Sequence, residues 1–104
     1  MPGEIQVTSD HQTGPVYDPE LYGQTNPFLL VNQDAAVDVF LDRDGPWLLN
    51  QTGVNARPTS GTILAKGGGQ VLWPAGKKVF ARADGSVAAR QDASGRVRTV
   101  IQAL

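Results

Sequence analysis

The sequence predicts an all-β domain, a small antiparallel β-sandwich of jelly-roll type or a barrel, preceded by an extended N-terminal arm. Three observations carry that expectation. No long stretch keeps the 3.6-residue apolar period of an amphipathic helix, so long helices are not expected. The apolar residues instead fall in short β-branched or aromatic runs bounded by Gly, Pro, Asn and Asp, the pattern of strands joined by tight turns. Composition agrees: 12 of the 104 residues are glycine and 18% are charged, against a usual charged share of about 25%. A chain of this length buries one core, so a single compact domain is expected.

Residues 1–26 read as the arm and residues 27–104 as a self-sufficient body. In the arm, Pro2, Pro15 and Pro19 interrupt regular structure, while Glu4–Thr8 alternates like an edge strand. Val16, Tyr17, Leu21 and Tyr22 give the arm apolar anchors, so it is expected to dock over a surface, its own or a neighbour's. The body opens with the continuous apolar strand Phe28–Asn32. Ala36–Asp42 then alternates, with Val37, Val39 and Leu41 on one face and Asp38, Phe40 and Asp42 on the other. Asp44-Gly45-Pro46 makes a turn, Trp47–Leu49 reads as a short strand, and residues 50–60 form the longest polar loop, a place for contacts. From Gly61 to Arg90 four runs follow closely: Thr62–Ala65, Gln70–Trp73, Lys78–Ala83 and Ser86–Arg90. Gly67–Gly69, Pro74–Gly76 and Ala83–Gly85 separate them, which reads as a tight meander. Arg96–Leu104 closes the chain as a strand, bringing the expected total to about eight, with turns at sandwich or barrel spacing.

Reactive constellations fail on inspection. The chain has no cysteine and one histidine, His11, so a thiolate metal site, the usual zinc site and a Ser-His-Asp relay are not expected. Asp42-Arg43-Asp44-Gly45 resembles part of a calcium loop, but Phe40 and Gln51 stand where acids are needed. A loose cation contact by Asp38, Asp42 and Asp44 is the residue of that reading. Gly67–Gly69 with Lys77 and Lys78 invites a phosphate-loop reading that fails at Val71 and Lys78. The glycines fit positive-φ turns better. No catalytic residue, cofactor or metal is expected, and the protein is not expected to be an enzyme. Asn50-Gln51-Thr52 matches a glycosylation sequon, without a visible export signal at the N-terminus to give it use. Trp47 and Trp73 are expected in the core, the alternative being that they stack on sugars.

Charge is uneven along the chain. Residues 1–52 carry eight acids and one base, and residues 53–104 carry eight bases and two acids. Alternating strands from the two halves would neutralise this locally; a sharper reading sets an acidic face of one copy against a basic face of the next. The bases form no dense patch, so nucleic acid is not an expected partner. The longest apolar run is far too short to cross a bilayer, so no membrane role is expected.

The order of features from Phe28 to Ala88 resembles a small β-domain of tailed-bacteriophage virion proteins, including capsid decoration and cement proteins. The resemblance rests on Leu30-Val31-Asn32, Val37–Leu41 and Ser60-Gly61-Thr62-Ile63-Leu64. It continues through Gly67–Gly69, Pro74-Ala75-Gly76, Val79-Phe80-Ala81 and Ala83-Asp84-Gly85. It implies a non-catalytic protein, made in the host cytoplasm, that binds the major capsid protein on the virion surface as a homo-oligomer, a trimer being favoured. The expected contact residues are Tyr17, Tyr22, Trp73, Phe80, Arg57, Lys77 and Lys78. The alternative is a carbohydrate-binding sandwich of a tail, fibre or bacterial enzyme.

Overall fold

The computed structural model describes residues 3–50 and 53–104 and is all-β. Among these residues, strands β1 (Glu4–Thr8), β2 (Phe28–Asn32), β3 (Val39–Asp42), β4 (Thr62–Leu64), β5 (Gly69–Trp73), β6 (Phe80–Ala83) and β7 (Arg98–Ala103) build two antiparallel sheets. One sheet has the order β1-β7-β2-β5 and the other β4-β3-β6. The expected sandwich is what the chain forms. No described helix is long and apolar enough to cross a membrane.

The alternation of β1 and β7 dictates the inner face. Ile5 pairs with Ile101 and Val7 with Thr99, all buried, while Glu4, Gln6, Arg98 and Val100 look outward. Phe28, Leu30 and Trp73 complete that inner face, and Val39, Leu41, Leu64, Ala81 and Ala83 oppose it from the second sheet. A single core results, and it includes the segment read as an arm. Ile5, Val7 and Tyr17 are each at most 4% exposed, and Tyr17 bridges to Val79 beside β6. Ile5, Val7 and Tyr17 are therefore filling of the same core as the body.

Three local expectations are corrected. Trp47–Asn50 and Ala88–Arg90 are 3₁₀ turns, not strands. The expected strand over residues 36–42 begins only at Val39, because the Asp34 carboxylate captures the Ala36 and Val37 amides (2.8 and 3.1 Å) in a local turn. The glycine-rich region is not a meander: β4 pairs with β3, β5 with β2, and β6 again with β3, so the chain changes sheet twice. The first change occurs through Gly67 and Gly68, both at positive φ, as the phosphate-loop failure suggested. Gly69 follows, and a Cβ there would sit 2.3 Å from the Ala65 carbonyl oxygen, so this corner admits no side chain.

Buried polar groups tie the layers together. Asn32 Nδ2 donates to the Val37 and Leu64 carbonyls across the two sheets (2.9 and 3.0 Å). Asp34 accepts from both terminal nitrogens of Arg90 at 2.8 Å and from the Thr99 hydroxyl at 2.7 Å. Burial alone would raise its carboxyl, but the hydrogen bonds from Arg90, Ala36, Thr99 and Val37 outweigh that and hold it well below the usual carboxylate range. A depressed folded pKa gives stability that is complete above the unfolded value, about 4, and is lost as pH falls below it. The melting temperature is accordingly expected to drop steeply below about pH 4, and less steeply in Asp34→Asn. At neutral pH that variant should lose about 2–4 kcal/mol, read by denaturant unfolding. An unchanged acid limb would assign the acid sensitivity to another group.

Candidate functional site

The β4–β5 side of the sandwich is where the fold leaves strand edges open. Leu29 exchanges both of its backbone hydrogen bonds with Leu104 on the β7 side of β2 (3.4 and 2.9 Å). It has none left for Leu72, its neighbour on β5, so the antiparallel alternation turns the Leu72 amide and carbonyl toward the free edge. Gln70, two residues back, is turned the same way.

The side chains make this edge apolar. Leu104, Leu29 and Leu72 lie directly opposite one another across three strands on the outer face of the sheet. Leu72 is 66% and Leu104 64% exposed. Natural edge strands are usually protected by a lysine, a proline, a bulge or a covering element. From Gly69 to Trp73, β5 carries no charge and no proline.

Between the end of β5 and the β3–β4 side lies a cleft of about 390 Å³. Asp42, Asp44, Leu48, Gly61, Leu72 and Pro74 are among the residues that line it. Gly61 has φ 104°, and a Cβ there would meet Leu49 at 2.8 Å, so this part of the lining admits no side chain. Asp42 Oδ1 accepts from the Asp44 amide at 2.9 Å. Its Oδ2 is shielded from water and has no hydrogen-bond partner among the described residues. Leaving such an acceptor unsatisfied costs about 1–3 kcal/mol.

The residues expected to make contacts are scattered, and several are used inside the fold. Tyr17 is buried, stacked on Tyr22 (ring centroids 5.2 Å apart) and edge-on to Phe28 (5.4 Å). Trp73 is 4% exposed, with its indole N–H donating to the Lys77 carbonyl at 3.1 Å. Neither offers a surface for a partner. Phe80 is half-buried, whereas Tyr22, Lys77 and Lys78 are exposed. Arg57 lies over the Phe40 ring at 5.0 Å and bridges Asp38 and Asp84 at 3.2 and 3.0 Å, closing the loop onto the second sheet. Trp47, expected in the core, is 66% exposed.

The charge asymmetry is partly neutralised within the chain. Asp10, Asp34 and Asp38 of the first half pair with Arg96, Arg90 and Arg57 of the second. Local neutralisation thus accounts for three of the eight first-half acids among the described residues. No three Asp, Glu or His side chains converge on one point among the described residues, and the loose Asp38–Asp42–Asp44 set does not assemble. The sequon lies partly outside the described residues. Its Asn50 amide exchanges hydrogen bonds with both backbone groups of Gln12 (2.8 and 2.7 Å).

Leu29, Leu72 and Leu104 carry no signal in the sequence that marks them as contact residues. The absence of any charge between Lys66 and Lys77 was the one available sign of an unprotected edge. Comparison with family models, curated proteins and solved structures gave no match to this chain.

Proposed function

We propose that this protein is a non-catalytic structural subunit on the surface of a phage capsid, with the β5 edge as the docking edge through which it assembles into the homo-oligomer that binds the shell. The observation that supports this reading is the unprotected edge itself, with outward peptide groups at Gln70 and Leu72 and a row of three leucines beside it. A free edge binds by main-chain hydrogen bonding, and the flanking side chains set the partner. The resemblance to capsid decoration proteins supplies the partner class, the major capsid protein, and the homo-oligomeric state.

The test is co-sedimentation with emptied, mature capsids of the phage that encodes the chain. Saturable binding that Leu72→Lys abolishes is expected. A chain that stays in the supernatant at micromolar concentration, or a gene with no capsid gene in its neighbourhood, would overturn the reading.

One observation favours a sugar-binding alternative, the exposure of Trp47. Because Trp73 is buried, fluorescence quenching by oligosaccharides would report Trp47 alone. No quenching is expected.

A further inference from the structure

We propose that the partner at this edge is a second copy of the chain, so that two β5 strands pair antiparallel about a two-fold axis through Val71. The inference rests on reading the β5 edge as the docking site and adds who occupies it. The geometry of β5 is self-complementary. With Val71 at the axis, Gln70 of one copy faces Leu72 of the other, and both residues turn their amides and carbonyls outward. Each copy therefore supplies the donors and acceptors that the other's edge lacks, in the isologous manner of a two-fold contact. The pairing joins the two four-stranded sheets into one. On its outer face the exposed Leu72 side chains of the two copies become diagonal neighbours, a spacing that large side chains bridge.

Charge fits the same arrangement. Continuing antiparallel past Trp73 brings the partner's Gly68 opposite Pro74, at the mouth of the cleft. There the partner chain turns between its two sheets, and the turn carries the partner's Lys66. The cleft it approaches is lined by Asp44 and Asp42, and the Asp42 Oδ2 has no donor among the described residues. Lys66 is exposed, and among the described residues no ion pair within one chain uses its amine. The two-fold repeats this contact at both ends of the paired strands. The expected assembly is thus a dimer, in place of the trimer that the resemblance favours.

Sedimentation equilibrium over a range of concentration tests this with the full chain. The expected mass is twice the 11.1 kDa of one chain, with association weakened by salt. Leu72→Lys places a charge on the exposed edge and is expected to leave a folded monomer. Lys66→Glu should weaken association about tenfold or more, and adding Asp44→Lys to it should restore most of the loss. A wild-type monomer at all concentrations would overturn the inference, as would a dimer indifferent to Leu72→Lys. The two readings fail separately. A monomer that still binds capsids through Leu72 refutes the self-pairing alone, and a dimer that ignores capsids refutes the capsid role alone.

Discussion

Replacing Arg82 with alanine is expected to lower stability by about 3–5 kcal/mol. Arg82 sits in β6 opposite Phe40, on the side of the three-stranded sheet away from the other layer, and is fully buried. Its guanidinium donates to the carbonyls of Ser9, Leu49 and Gly53. One side chain thus ties together the end of β1, the 3₁₀ turn at Trp47–Asn50 and the loop that follows. Burial lowers its pKa, the Asp10 carboxylate partly offsets this, and the group stays charged. Alanine would leave the Ser9 and Leu49 carbonyls without a donor among the described residues, with the Gly53 carbonyl keeping the Ala56 amide, and would open a void the size of the guanidinium. Thermal melting should show the midpoint falling by roughly 15–25 °C. Arg82→Lys should recover only part of the loss, since one ammonium cannot span the directions that the planar fork reaches. A loss below about 1 kcal/mol in Arg82→Ala would mean that the loop is held by other contacts.

Truncation of residues 1–22 is expected to abolish folding. The cut removes Ile5, Val7 and Tyr17 from the core, each contributing about 1.5–3 kcal/mol by burial. It also strips β7 of the partner that it meets along five residue pairs, and takes away the Ser9 carbonyl used by Arg82. The combined loss is comparable with the whole stability of a small domain, about 5–15 kcal/mol. Circular dichroism and amide proton dispersion should show an unfolded or aggregating chain. A cooperative melt in the truncated protein would restore the view of residues 1–26 as a detachable arm.

Local patterns were legible in the sequence where one strand carries its own instruction. Phe28–Asn32 and Glu4–Thr8 stand as read, since runs of apolar or alternating residues bounded by breakers need no distant information. Pairing was less legible. Nothing local distinguishes a Gly67–Gly69 connection that folds back within a sheet from one that crosses to the other sheet. That choice depends on where β2 and β3 already lie. Nothing in the sequence marks Arg82 as buried, because the segments that bury it, around Ser9 and Leu49, are more than thirty residues away. Trp47 misled in the opposite direction: its size argues for burial, but its turn places Leu49 inward and leaves the indole outside. The candidate edge escaped notice for a related reason. An open edge is a property of strand order, and strand order is settled by the whole chain.

The pairing of β1 with β7 also bears on how the chain is made. Ser9 and Val97, which exchange hydrogen bonds between them, are 88 residues apart. On the ribosome, β1 emerges long before the strand that will hold it, so Ile5 and Val7 wait without shelter until nearly all of the domain has been synthesised. The sandwich cannot close piecemeal from its N-terminus. Its folding belongs to the moments after β7 clears the exit tunnel, and the slow search expected of such distant partners sets its pace.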